Sequence, residues 1–274
     1  MASELPQFQP RVPEYVQQSQ RILDAGCGPK GSYWWKYKPD HVPMVAIDLY
    51  FKPADLPPNT IFIQSDLVDF CLQNEYYQYF DLCVADHILE HVPDPMLALQ
   101  AINRVLTPGG AVHVGIPDSS LFTDRFYHLI HAEGGGHISK ITKSEFENLA
   151  KTAGFELEWC APWPDDWMWF RQGYDWKGRK IQYLTQGDIE FIADVFVKEL
   201  TPDKGYYYGW EFVLRKDRTV EKPEMALETR KDSQEAGALS TEEIIRDKSQ
   251  PRNVVKRPFI KRFFSRLGRL LRRI

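Results

Sequence analysis

Short apolar runs recur along the first half of the chain, and several of them end in an Asp. Five such runs lie within Arg21–Gly31, Val42–Asp48, Thr60–Asp66, Phe80–Asp86 and Gly110–Pro117. Between the last two runs, apolar residues from Pro95 to Leu106 recur at helical spacing. Apolar strands that alternate with helices predict a parallel sheet with helices on both faces.

The second half adds one helix and two strands to this pattern. Lys143 to Ala153 is predicted to be a helix, with Thr142 as its N-cap, Glu145 in a capping box and Gly154 at its end. The residues 155–161 and 209–215 alternate as strands and bring the predicted strands to seven. By contrast, the segment from Trp34 to Asp40 is too short for a full crossover helix.

The remaining segments set the predicted domain boundaries. Residues 1–20 are predicted to be an N-terminal extension, and 21–216 the α/β domain. Within that domain, 162–208 form an aromatic-rich insert that could line a substrate site, or could form a lid, a satellite core or a subunit contact. Residues 217–250 are polar and charge-mixed, typical of a disordered linker. The last segment, 251–274, is predicted to contain a basic amphipathic helix.

A glycine-rich turn follows the first run, and it is typical of folds that bind a nucleoside-containing ligand. Gly26, Gly28 and Gly31 have the G-x-G-x-x-G spacing, which dinucleotide-binding folds also use. Asp24, however, stands two residues before the first glycine. A carboxylate there suits a cationic ligand without phosphates better than it suits a pyrophosphate.

Composition and charge narrow the function classes. The net charge is −4, yet the segment 252–274 carries nine Lys or Arg and no acidic residue, which leaves −13 for residues 1–251. An acidic body argues against general nucleic-acid binding. No apolar run is long enough for a spanning helix, and the first twenty residues contain no secretory signal, so we expect a cytoplasmic protein. The four Cys lack metal-ligand spacing and are predicted to be reduced.

Taken in order, these motifs resemble those of the class I S-adenosylmethionine-dependent methyltransferases, in particular the subgroup that acts on small molecules and natural products. The resemblance covers about Arg21 to Ala161. The segments that carry it are Arg21–Gly31, Val45–Asp48, Gln64–Leu67, Ala85–Asp94, the L-x-P-G-G turn at Leu106–Ala111, and Gly134–Ser139 ahead of a helix that ends in Ala-Gly-Phe155.

The resemblance implies a Rossmann-like, seven-stranded α/β fold, mostly parallel with an antiparallel last strand. It also implies S-adenosylmethionine as the cofactor, with Asp48 on the ribose hydroxyls and Asp66 on the adenine amino group. Both acids end predicted strands, where open parallel sheets bind their ligands. The full set of predicted cofactor-binding residues is Asp24, Ala25, Gly26, Gly28, Asp48, Leu49, Asp66, Leu67, Ala85 and Asp86.

Transfer of a methyl group to a hydroxyl requires a general base, for which histidine is suited at neutral pH. His137, in the glycine-rich loop after strand five, is the first candidate, followed by His87 after strand four. Asp86 is the third candidate, and Asp118 is a further alternative. His91 is interpreted as structural.

A metal site is not expected, because His128, His131 and His137 are loosely spaced with few flanking acids. The predicted function is O-methylation of a small molecule or a glycan, such as a lipid-linked one. The alternatives are a methyltransferase for quinones or lipid head groups, and a noncatalytic scaffold subunit. Residues 256–274 are predicted to bind an anionic surface of the inner membrane, or else to dock onto the acidic body of this or another subunit. Recognition of nucleic acid by this tail is a third alternative, which the acidic body disfavours.

Overall fold

A computed structural model describes residues 11–121, 124, 127–128, 136–164, 185–187, 190 and 207–218 of the chain. The chain divides into two compact units, Met1–Met225 and Ala226–Ile274, and all the described residues belong to the first. The predicted basic helix, most of the predicted linker, most of the aromatic insert and His131 lie outside the described residues.

Seven strands form one sheet in the order β3-β2-β1-β4-β5-β7-β6. The strands are β1 (Ile22–Ala25), β2 (Met44–Asp48), β3 (Thr60–Gln64), β4 (Phe80–Asp86), β5 (Leu106–Pro117), β6 (Phe155–Pro164) and β7 (Tyr207–Lys216). The first five are parallel, whereas β7 runs antiparallel to both β5 and β6. This confirms the predicted fold class. The chain reverses its winding between β1 and β4, where sheets of this kind bind ligands.

Four described helices pack on the sheet, and two of them were not predicted. They are α1 (Val12–Gln18), α2 (Leu67–Cys71), α3 (Pro95–Val105) and α4 (Lys143–Thr152). The α1 helix lies within the predicted N-terminal extension, where Pro13 stands in the first turn and suits a helix start. Val12 and Val16 are fully buried in a cluster with Ile22 and Leu82 of the sheet.

Two of the connections between elements follow local signals in the sequence. Thr142 and Glu145 form the predicted capping box at the start of α4, which Gly154 follows with φ of 85°. The connection between β1 and β2 contains only a 3₁₀ turn at Tyr33–Tyr37, as the short segment predicted. Trp34 of that turn is fully buried against the sheet.

The L-x-P-G-G segment differs from the expected turn before strand five, because it lies inside β5. Phe80 of β4 pairs with Leu106, but Leu82 pairs with Ala111, so the extra residues form an irregularity in the strand. Gly109, with φ of 76°, takes a conformation there that other residues rarely adopt. The strand therefore begins earlier than its apolar run.

Cys27, Cys71 and Cys83 are free and buried, and Cys160 is free and partly buried. Among the described residues, no helix is long and apolar enough to cross a membrane.

Candidate active site

The glycine turn after β1 is tied to the end of β2. Gly26 and Gly28 have φ of 82° and 67°, and the backbone N–H of Gly28 donates to Asp48 Oδ2 at 2.9 Å. A Cβ on Gly28 would meet no atom within 4 Å, so open space lies above the turn. A Cβ on Gly31 would instead come within 2.2 Å of the Trp35 ring. The turn is thus close-packed on one side and open on the other.

Asp24 supports this turn from below. Its carboxylate is 1% exposed, and Oδ2 accepts hydrogen bonds from Ser32 Oγ at 2.7 Å and Trp35 Nε1 at 2.6 Å. Burial raises the pKa of Asp24 to about 7, although these two hydrogen bonds oppose the shift. The side chain therefore joins β1 to the 3₁₀ turn, and its charge is poorly compensated by the protein.

Asp48 and Asp66 lie at the carboxyl ends of β2 and β3, as predicted. Asp48 Oδ1 accepts from the backbone N–H groups of Tyr50 and Phe51, both at 2.8 Å. Asp66 caps α2, with Oδ1 accepting from the N–H groups of Val68 and Asp69. No described residue hydrogen-bonds Asp66 Oδ2, which points to room for an amine donor beside the cap.

The other predicted cofactor residues fall into two groups. Leu49 is 43% exposed beside Asp48, where its side chain can cover a flat ring. Ala25, Leu67 and Ala85 are buried, so only their backbone can reach a ligand at the strand ends. Together, these residues line one continuous rim from β3 to β4.

His87 and Glu90 form a hydrogen-bonded pair just after β4. His87 Nδ1 lies 2.9 Å from Glu90 Oε1, and Glu90 is 1% exposed. Burial lowers the pKa of His87, but the charge and hydrogen bond of Glu90 outweigh it, so the net shift is upward. The backbone of His87 has φ of 53°, and the ring lies 4.2 Å from that of Trp163. A carboxylate thus holds an imidazole at the sheet edge.

Buried polar groups continue from Asp86 across β5 to β7. Asp86 pairs with Gly115, and Gly115 pairs with Glu211, so the three positions are neighbours across the sheet. A Cβ on Gly115 would lie 2.1 Å from Asp86 Oδ1, so glycine is what makes room for the carboxylate. Glu211 Oε2 lies 3.4 Å from His113 Nε2. Burial, followed by the charges of Asp86 and Glu211, raises the pKa of Tyr33.

Comparison with known proteins identifies the family to which the chain belongs. A sequence model described as a methyltransferase domain matches residues 1–158 of the chain, which is more than half of it. The chain belongs to the methyltransferase family. With its seven-stranded Rossmann-like sheet, it is a class I S-adenosylmethionine-dependent methyltransferase, and S-adenosylmethionine is its cofactor.

Individual relatives of the methyltransferase are distant. A ubiquinone biosynthesis O-methyltransferase of Actinobacillus pleuropneumoniae is 26% identical over 166 residues, which cover 54% of this chain and 68% of that protein. A methyltransferase structure from Archaeoglobus fulgidus has a TM-score of 0.51 at 14% identity, covering 75% of this chain and 90% of that one. One from Methanosarcina mazei has a TM-score of 0.50 at 16% identity, covering 77% and 98%. These two structures share the fold.

His137, the first candidate base of the methyltransferase, lies in a different group from His87. Its side chain is 5% exposed, and Nδ1 lies 3.8 Å from Asp124 Oδ1. The ring stacks on Tyr127 at 4.8 Å and lies 4.9 Å from the ring of His91. His91 itself is exposed in a 3₁₀ turn, where Nδ1 is 2.9 Å from the carbonyl oxygen of Gly136. His137 thus joins Asp124 and Tyr127, while Glu90 is the carboxylate that holds His87.

Two sets of described side chains in the methyltransferase bring metal-binding atoms within 4.8 Å of one another. They are Glu90, His91 and His137, and Asp124, His128 and His137. Asp118, by contrast, is engaged structurally, since its carboxylate accepts from Ser120 and from Trp210 Nε1 at 2.8 Å.

Three residues of the candidate site were not predicted as site residues from the sequence. Glu90 follows His87 by three positions, a spacing that could have suggested an acid–imidazole pair. Glu211 is an acid in an otherwise apolar strand, which could also have marked it. Trp163 was predicted only as part of the aromatic insert, and sequence offers no signal for its contact with His87.

Proposed function

We propose that this methyltransferase transfers the methyl group of S-adenosylmethionine to a hydroxyl group of a small molecule, with His87 as the general base. The observation that carries the proposal is the His87–Glu90 pair, with 2.9 Å between Nδ1 and Oε1, directly after Asp86 at the end of β4. A base held by a carboxylate suits the removal of a proton from an alcohol or phenol at neutral pH.

The rim from β1 to β3 fits the cofactor. The open space over Gly28 admits the ligand against the backbone, and Asp48 stands at the strand end where its carboxylate can accept from ribose hydroxyls. Asp66 would accept from the adenine amine, and the exposed side chain of Leu49 would cover the ring. When bound, the cofactor would supply an electrophilic methyl group on a sulfonium, whose sulfur leaves as a neutral thioether.

His87 would act through Nε2, because Glu90 accepts the proton on Nδ1. The imidazole would take the proton of the acceptor hydroxyl, which would free the oxygen to receive the methyl group. Glu90 stabilises the imidazolium that results, as its effect on the pKa of His87 indicates. The indole of Trp163 beside the ring would limit the entry of water and orient a flat acceptor.

An aromatic hydroxyl is the acceptor that we favour. The relative from Actinobacillus pleuropneumoniae is named for ubiquinone biosynthesis, and Trp163 offers a flat apolar surface next to His87. The quinone alternative is therefore a second candidate of this same site. A glycan acceptor, a membrane surface and a cytoplasmic location depend on observations beyond the described residues, and they stay predictions.

The test is a methyl-transfer assay with radiolabelled S-adenosylmethionine and a panel of a dihydroxybenzoate, a hydroquinone and a monosaccharide. We expect transfer to a phenolic oxygen, and a loss of about 100- to 10,000-fold in kcat for His87→Asn with unchanged cofactor affinity, because general-base catalysis contributes about that much. His41→Asn, at an exposed position, is the matched control.

Cofactor binding without transfer to any acceptor would support the scaffold alternative instead. Full activity of His87→Asn would rule out His87 as the base and return attention to His137 and Asp86.

A further inference from the structure

A second cluster of polar side chains adjoins the His87–Glu90 pair, because its His137 has a ring nitrogen within 4.8 Å of a Glu90 carboxylate oxygen, but the proposed methyl transfer does not use it. It consists of Asp124 and His128, one helical turn apart, and His137 from the loop before α4. The helical spacing of Asp124 and His128 places both on one face, and the loop adds His137, so that the ligand atoms of all three lie within 4.8 Å of one another.

The distances in the cluster match those of a metal site. Asp124 Oδ2 lies 3.4 Å from His128 Nε2, and Asp124 Oδ1 lies 3.8 Å from His137 Nδ1. Ligand atoms of a tetrahedral zinc site are about 3.3 Å apart, given bonds of about 2.0–2.1 Å. Each imidazole nitrogen therefore lies near one oxygen of the same carboxylate, at a separation close to that between two ligands of one metal ion.

Burial makes the cluster energetically unfavourable unless a ligand is bound. The side chains of Asp124 and His137 are 3% and 5% exposed, and neither Asp124 Oδ1 nor His137 Nδ1 has a hydrogen-bond partner among the described residues. A cation between these atoms would satisfy both unpartnered groups at once.

We propose that Asp124, His128 and His137 bind a divalent transition metal of the zinc type. Two imidazoles and one carboxylate are a ligand set that suits Zn²⁺, and also Co²⁺ or Mn²⁺, better than they suit Mg²⁺ or Ca²⁺. Three protein ligands leave a coordination position open. The metal joins the helical residues Asp124 and His128 to the loop that carries His137, and this inference replaces the expectation that the protein holds no metal.

The test uses the untagged full chain, freed of metal with a chelator and titrated with Zn²⁺ by calorimetry and with Co²⁺ by visible absorption. We expect saturation at one ion per chain. His128→Ala and Asp124→Ala should each weaken binding at least about tenfold, since even an outer-shell partner of a ligand contributes about 10- to 100-fold. His41→Ala, which removes an exposed histidine elsewhere, should bind as the wild type does.

Another substitution separates the two donor sets that share His137. His91→Ala removes a donor of the Glu90 set only, so it should retain metal affinity within about twofold of the wild type. X-ray absorption of the zinc-loaded wild type should show two imidazole ligands, a result that does not depend on any variant folding. The absence of saturable binding, or a loss in His91→Ala equal to that in His128→Ala, would overturn the assignment.

Discussion

The two halves of the sheet edge differ in how their polar groups are paired. On the cofactor side, Asp24, Asp48 and Asp66 all accept hydrogen bonds from the chain itself. On the proposed acceptor side, Asp86 Oδ1 is buried and has no hydrogen-bond partner among the described residues, and buried Glu211 Oε2 has only His113 Nε2 nearby, at 3.4 Å and without hydrogen-bond geometry. The cofactor side is therefore organised before its ligand binds, whereas the proposed acceptor side has buried oxygens that no described residue hydrogen-bonds.

This difference has an energetic meaning. A buried polar group without a partner costs about 1–3 kcal/mol, and natural proteins keep few such groups. Here they lie next to the proposed catalytic pair, so we expect a substrate to supply the missing partners. The acceptor of this methyltransferase is thus expected to carry donors that face Asp86 and Glu211, in addition to the hydroxyl that faces His87.

The largest effect is expected at Asp24, the acid on the cofactor side whose buried charge is least offset by hydrogen bonds. Its pKa is about 7 in the folded protein, against an ordinary value of 3.8. Between these values the folded state binds more protons than the unfolded state, so stability falls as pH rises from about 4 to about 7 and is level above that. Asp24→Asn should remove this fall and raise the free energy of unfolding at pH 8 by up to about 4 kcal/mol.

Urea unfolding of both proteins at pH 4.5 and pH 8 measures that gain, and calorimetry measures the affinity for the cofactor. We expect the affinity to fall while the stability rises, since the removed charge attracts a cationic cofactor. Equal stability differences at the two pH values would contradict this prediction, and would show that the two hydrogen bonds compensate the charge of Asp24.

A smaller effect is expected at Glu90, on the acceptor side. Glu90→Gln removes the charge that raises the pKa of His87, so the acid limb of the kcat/KM profile should move to lower pH. The plateau should fall about tenfold, because the amide holds and stabilises the imidazolium less well. Glu211→Gln is the control, and it should move the limb less, since Glu211 raises the pKa of His87 less than Glu90 does. An unmoved limb in Glu90→Gln would mean that another group titrates.

The smallest effect separates two roles of Asp66. Asp66→Asn should keep the cap on α2 and the stability within a few tenths of a kcal/mol, whereas Asp66→Ala should lose about 1 kcal/mol. Both should weaken binding of S-adenosylmethionine, because the amide oxygen serves the cap and its NH₂ group cannot accept from adenine. Thermal unfolding and calorimetry measure the two properties. Normal cofactor affinity in Asp66→Asn would restrict Asp66 to capping.

Much of the fold could be predicted because its signals are local. Apolar runs predicted the sheet, and the capping box of Thr142 and Glu145 predicted the start of α4. The α1 helix was missed because a stretch of seven residues with one proline is too short to show a helical repeat of apolar positions. Its position depends on the sheet against which Val12 and Val16 pack. The irregularity in β5 was missed because the glycines that interrupt its apolar run also suit a turn.

The residues of the candidate site also differ in whether local sequence signals could predict them. Asp48 and Asp66 were predictable, since strand ends follow from the sequence pattern. His137 was preferred over His87 on the basis of its loop, yet its contacts with Asp124 and Tyr127 come from chain segments ten or more residues away. Such contacts arise only in the folded chain. The His87–Glu90 pair was within reach of sequence reasoning, because three positions separate the two residues.

Gly115 has a consequence for how this protein can change over evolution. Its missing Cβ leaves the space that Asp86 Oδ1 occupies, so a side chain at position 115 would displace the carboxylate from the sheet edge. The two positions are therefore expected to vary together among relatives. A lineage that gains a side chain at 115 should first have lost the acid at 86, and with it any acceptor whose binding depends on that carboxylate.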